Sequence, residues 1–266
     1  MKYQNFVAMR GRTQVKRAFT LAEVLITLVI IGVIAAITVP TLMNNYQKNK
    51  YLTQLKHSYS LLSNGFKLAM AKDGVTRLED TALFSSIEDV STNIGEQKAF
   101  RTEFSKVFTL MKSYDSTETP EQEQIEYTTL TPGETFIADS EHRVCFNLNN
   151  GAMIYGNFYK TGRERPYTVE QIKESGSKLY QTMGYMFIDV NGAQKPNKVG
   201  RDLFYFLVGN DGTVFPFGGK DHSLNVSLDD TNYWRTSERC QPGAESPKNG
   251  IACAGRIFEE GWQMNY

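Results

Sequence analysis

The feature that most restricts this chain is the run RAFTLAEVLITLVIIGVIAAITVP at residues 17–40. Residues 19–42 are apolar apart from Thr20, Glu23, Thr27, Thr38 and Thr41. As a helix this stretch extends about 36 Å at ~1.5 Å per residue, enough to cross the hydrocarbon of a bilayer. A carboxylate is out of place there, since insertion scales charge roughly 2.5–3.5 kcal/mol for an ionised residue at a helix centre. Glu23 therefore needs a reason to be present.

Charge is unevenly placed along the 266 residues. Residues 1–18 carry Lys2, Arg10, Arg12, Lys16 and Arg17 with no Asp or Glu, a basic leader. The remainder holds 24 basic against 29 acidic residues, a net charge of −5. The leader favours a cytoplasmic N-terminus by the positive-inside rule, a bias moderated by Lys48, Lys50 and Lys56 on the far side. The acidic remainder shows no basic footprint for nucleic acid, so none is expected as a partner.

The helix is expected to continue past the apolar run. Leu52, Leu55, Tyr59, Leu62 and Phe66 recur at helical spacing, one apolar stripe on an amphipathic segment. AKDG at 71–74 ends it with a lysine and then a glycine. One helix is thus predicted from about Phe19 to Lys72, with Pro40 inside it to kink or loosen it. The expected organisation is a leader at 1–18, a membrane helix at 19–42, an amphipathic half at 43–74 and a head at 75–266.

Within the head, residues 78–112 read as weakly helical and STETPEQEQ at 116–124 as a polar loop. Short β-type runs follow, TFIAD, RVCFNL and AMIYGNFY, punctuated by NNG at 149–151 and TGRERP at 161–166. YMFIDVNG at 185–192 continues them, and NDG at 210–212 marks a hairpin inside DLFYFLVGNDGTVFPFG. The tail GIACAGRIFEEGWQMNY reads as a short helix closing on Trp262.

KRAFTLAEVLITLVIIGVIAAI resembles the prepilin-type cleavage and methylation motif of type IV pilins and type II secretion pseudopilins. The resemblance implies that a prepilin peptidase cuts between Ala18 and Phe19 and N-methylates Phe19. Glycine is usual before that cut, and Ala18 is a tolerated departure. Glu23 becomes the fifth residue of the processed chain, one helical turn from the new Phe19 amine. In an assembled filament the family pairs this carboxylate with the amine of a neighbouring subunit, so a group that is costly in lipid favours packing in register. Pro40 falls where many pilins carry a proline. IDVNGAQKPNKVGRDLFYFLVGNDGTVFPFG at 188–218 is also similar to the C-terminal sheet of pseudopilin-like proteins.

The implied fold is α+β and pilin-like, with a long N-terminal helix packed on an antiparallel sheet. The implied function is a structural filament subunit held in a bacterial inner membrane, its head in the periplasm and later on a periplasmic or extracellular filament. Implied partners are copies of itself, other pilin-like subunits, the prepilin peptidase and an inner-membrane assembly platform. A secretory signal cut after Ala35, with Val33 three residues before the new N-terminus, is the runner-up for the segment; an uncleaved anchor is another. The competing class is a membrane-anchored or secreted periplasmic domain with its own binding or enzymatic role.

Candidate site residues in the head are few. Asp189, Asn191 and Asp202 are oxygen donors grouped around glycines, a set that suits Ca2+ or, equally, Asx-turns. Related major pseudopilins bind calcium in C-terminal loops, but this spacing matches no EF-hand. Cys240 and Cys253 enclose a Pro/Gly-rich loop and are expected to pair in an oxidising compartment, with Cys145 a buried thiol. Three cysteines leave other pairings open. His57, His142 and His222 show no metal-ligand spacing. No G-x-S-x-G, H-E-x-x-H or P-loop pattern occurs, and His142 and Cys145, three apart in one strand, would face opposite ways. An enzyme is not expected.

Overall fold

A computed structural model describes residues 19–85, 87, 94–108, 110–114, 125–137, 144–159, 182–219, 238–246 and 248–266. The loops at 116–124 and 161–166, together with Ala18, His142 and His222, lie outside these residues.

The long helix forms as the pattern requires. Helix α1 runs unbroken through Leu21–Asp73, with Pro40 inside it. Proline removes the N–H that would reach the Ala36 carbonyl, yet helical residues continue on both sides. Hydroxyls of Thr27 and Thr38 bond back to the carbonyls of Glu23 and Ile34 at 2.9 Å each, which satisfies these polar groups within the apolar segment. The helix ends in a Schellman motif. Gly74 takes φ +67°, Val75 N donates to Met70 O at 3.0 Å, and Gly74 N to Ala71 O at 3.3 Å.

The chain divides into two compact units, Met1–Tyr46 and Gln47–Tyr266. The first contains the apolar part of α1, whose most apolar 18-residue window has 0% of its residues buried. The second contains the amphipathic part and the head.

In the head, a 3-10 turn at Leu78–Asp80 leads into α2 (Ala82–Ser85) and α3 (Ile94–Val107). Strand β1 (Leu110–Tyr114) follows at once. The helical expectation for 78–112 thus holds only in part, because its last residues pair with a strand further along. The other strands are β2 (Glu126–Thr128), β3 (Thr135–Ile137), β4 (Val144–Leu148), β5 (Met153–Phe158), β6 (Thr182–Asp189), β7 (Leu203–Gly209) and β8 (Val214–Pro216). Helix α4 (Cys253–Glu259) comes last, and Trp262 N closes its end on Ile257 O at 2.7 Å.

Six strands form one antiparallel sheet in the order β1-β4-β5-β6-β7-β8, and β2-β3 form a separate hairpin. Alternation along each strand sends side chains to two cores. Ile154, Phe158, Met186, Ile188, Phe204 and Phe206 meet Leu55, Leu62 and Phe66 of α1, with Phe100 and Phe104 of α3. Tyr155, Phe187 and Leu203 point the other way, beneath Tyr127 of the hairpin. Both faces of β5–β7 are covered, which is why these strands read as near-continuous apolar runs. The architecture is α+β: a long helix and an antiparallel sheet.

Shape matching decides the fit between α1 and α3. A Cβ on Gly65 would clash with the ring of Phe108, 1.9 Å from its Cε1. Phe108 in turn stacks on Phe104 at 4.1 Å, and Phe104 on Phe146 of β4 at 4.1 Å. Only glycine at position 65 lets this aromatic column lie against the helix.

Candidate processing and assembly site

At the start of α1, Thr20 and Glu23 cap the helix for each other. Thr20 N and Thr20 Oγ1 both donate to Glu23 Oε2 at 2.8 Å, and Glu23 N donates to Thr20 Oγ1 at 3.2 Å. This is a capping box, in which two of the backbone donors left over at a helix start find acceptors. The signal is present in the sequence as T-L-A-E, the S/T-x-x-E pattern, beside the Phe19 amine as the other partner in reach of Glu23. Among the described residues Glu23 Oε1 takes no bond, so the cap leaves one carboxylate oxygen for a further partner. Phe19 itself is 84% exposed. Leu21, Leu25, Ile26, Val29, Ile31 and Ile37 behind it are exposed as well. An apolar surface of this extent suits lipid or the helices of other subunits.

The buried polar groups of the head form a clamp. Tyr127 donates to Asp189 Oδ2 at 2.7 Å, and Asn191 N donates to Asp189 Oδ1 at 3.2 Å, the Asx-turn alternative. Asp202 accepts from Lys198 N on Oδ1 at 2.6 Å and from Asn197 N on Oδ2 at 2.9 Å. Asn191 Nδ2 donates to Gln194 O at 2.7 Å. All four carboxylate oxygens accept bonds from the chain, so Asp189, Asn191 and Asp202 form a hydrogen-bonded clamp. The clamp fixes the corner at 190–202 to the hairpin, where Thr128 N bonds Asn197 O and Val199 N bonds Thr128 O at 2.9 Å each.

Burial sets the protonation of this pocket. Asp189 and Asp202 are both fully buried. Desolvation pushes the Asp189 carboxyl up to about 8 against the pull of its Tyr127 bond, with Asp202 adding repulsion. The same cause lifts Asp202 to about 6, opposed by the N–H groups of Lys198 and Asn197. Tyr127 is driven far above the ordinary phenol range, by burial first and then by the charge of Asp189.

Cys240 and Cys253 form a disulfide with Cα atoms 4.9 Å apart, and Cys145, buried in β4, takes no part in it. The bridge holds the 238–253 loop against α4, where Arg256 Nη1 donates to Cys240 O at 2.8 Å. The chain's last segment returns to α1. Lys48 Nζ donates to Tyr266 O at 2.5 Å, the Tyr266 hydroxyl to Gly200 O at 2.6 Å, and Lys56 sits 5.4 Å from the Trp262 ring centre. His57 is exposed on α1. Among the described residues no group of three or more His, Cys, Asp or Glu side chains is placed to hold a metal ion.

Residues 14–39 match the family model described as the prokaryotic N-terminal methylation motif. The match spans the leader's basic end, the Ala18–Phe19 bond, the Thr20–Glu23 cap and the apolar helix as far as Val39. The chain thus carries the prepilin-type signature of pilin and pseudopilin precursors, which points to a structural subunit. No curated protein and no solved structure shows a significant match to this chain.

Proposed function

We propose that this chain is a pilin-like structural subunit, made as a precursor, cut between Ala18 and Phe19 by a prepilin peptidase, N-methylated on Phe19 and assembled through α1. The observation that carries the reading is the methylation motif laid over a capped apolar helix with no residue of its most apolar window buried and a carboxylate in its first turn. Such a helix is stable in lipid before assembly, since its backbone is satisfied internally and its first turn by Thr20 and Glu23. In the filament Glu23 faces the α-amine of a neighbouring Phe19, a pair whose loss costs roughly 3–5 kcal/mol once buried. Before assembly the chain spans the bacterial inner membrane once, with its leader in the cytoplasm and its head in the periplasm. Its partners are its own copies, other pilin-like subunits and the assembly platform.

Glu23→Gln tests the role of the charge. Glutamine keeps the capping box but cannot form the ion pair. Subunit-to-subunit cross-linking through the apolar segment in native membranes is expected to fall sharply in Glu23→Gln, while the head keeps its protease resistance. Undiminished cross-linking would show that the carboxylate's charge plays no part in assembly.

A further inference from the structure

The head's sheet has two ends along α1, and they differ in charge. At one end Asn150 of the β4–β5 turn donates to Ser58 at 3.0 Å, Lys48 reaches Tyr266 O, and Tyr266 bonds Gly200 of the corner at 190–202. At the other end Gly212 of the β7–β8 turn lies against Met70, and Leu78 N donates to Asn210 O at 2.6 Å. The segments 47–56, 190–201 and 261–266 meet at the first end. They contain Lys48, Lys50, Lys56, Lys195, Lys198 and Arg201, and no Asp or Glu. All six of these side chains belong to exposed or half-exposed residues, and among the described residues none forms an ion pair. Arg201 Nη1 rests on Met264 Sδ at 3.9 Å, and Lys56 lies over the Trp262 ring. Asp189 and Asp202 are near this corner but fully buried, turned to Tyr127 and to turn N–H groups. The far end mixes signs, with Asp73, Glu79, Asp80 and Asp211 beside Lys67, Lys72 and Arg77.

We infer that this basic end of the head docks on the anionic phospholipid headgroups of the membrane that the apolar run enters. The inference deepens the membrane-anchored stage of the filament-subunit reading and rests on it. The apolar run ends at Leu42 and Lys48 follows six residues later. That is about 9 Å along a helix at ~1.5 Å per residue, within reach of lipid phosphates for a long side chain that snorkels. Attraction of Lys and Arg to an anionic leaflet fades within a Debye length, so only the end of the head nearest the lipid gains from it. Trp262 and Tyr266 are half-exposed beside the cations, and both residue types favour the membrane–water interface. A basic patch confined to one end holds the corner at 190–202 toward the bilayer and stops the head from turning freely.

The test uses the full chain reconstituted into vesicles of phosphatidylcholine, alone or mixed with phosphatidylglycerol. Photo-cross-linkers are placed one at a time at Ala193 in the basic corner, at Thr76 at the far end and at Ile30 in the apolar segment. The expected result is a phospholipid adduct at Ala193 in the mixed vesicles and none at Thr76. The Ala193 yield should fall about fivefold or more without phosphatidylglycerol, and equally in Lys50→Glu/Lys195→Glu. It should also fall with added salt and survive in Lys50→Arg/Lys195→Arg. Protease resistance of the head reports that the charge-reversed chain is folded. An Ala193 position that takes no lipid, or takes it regardless of phosphatidylglycerol and of charge reversal, overturns the inference, as does equal lipid labelling at Thr76. If Ile30 still cross-links to lipid in those cases, the membrane-anchored reading stands and only the basic end is misassigned. If Ile30 takes no lipid either, both readings fall.

Discussion

Two carboxyl groups and one glutamate concentrate the chemistry at the scale of single residues. Asp189 and Asp202 are held in a dry pocket by Tyr127 and by turn N–H groups. Their folded-state values of about 8 and about 6 lie above the ordinary 3.8. The folded chain therefore retains protons that the unfolded chain releases. The stabilisation they contribute is complete below about pH 4 and is lost as pH rises through about 6 and then about 8. The melting temperature of the detergent-solubilised protein is expected to fall between about pH 5 and about pH 8.5, and Asp189→Asn to flatten that fall. Parallel profiles for the two proteins would exclude Asp189 as the source. At the helix start, Thr20→Val should loosen the first turn by about 0.5–2 kcal/mol. Faster amide exchange confined to Leu21–Val24 is the expected signature, and Glu23→Gln should leave those amides unchanged.

Elements show why some of the fold was legible and some was not. Helix α1 declared itself through its apolar run, its later stripe from Leu52 to Phe66 and the glycine at position 74, and the structure places its ends within two residues of that reading. The hairpin around Asn210–Gly212 was equally plain, because its turn residues are local. Strand β6 starts earlier than expected, at Thr182. A glycine at 184 weakened the strand pattern, and its reason is a neighbour, since a Cβ there would strike the Asn157 carbonyl of β5. Strand β1 was hidden in what read as a helical stretch because its partner β4 lies more than thirty residues later. The Tyr127–Asp189 bond joins residues 62 positions apart. No local pattern carries such a contact, and the clamp was visible only as its Asx-turn half. Gly65 marks the same limit, as nothing in SNGFK points to Phe108. Gly65→Ala is expected to cost about 1–3 kcal/mol by overpacking against that ring. Chemical denaturation would show it as a lowered midpoint with an unchanged slope, and an unaltered midpoint would mean the column shifts freely.

For the whole molecule, the two compact units divide the work. The head keeps one core between α1, α3 and the sheet and another beneath the hairpin, with a disulfide tying the last loop to α4. Among the described residues of the apolar unit none is buried, including every residue of its window of highest hydropathy. On the proposed function, this apolar helix stays with the mature protein and finds its environment first in lipid and then among other copies. The central claim is therefore that the mature chain begins at Phe19. The direct measurement is the intact mass and first residue of the protein isolated from its native membranes. The account predicts N-methylated Phe19 followed by Thr20. A chain that begins at Met1, or near Ala36, would contradict it and leave Glu23 without its assembly role.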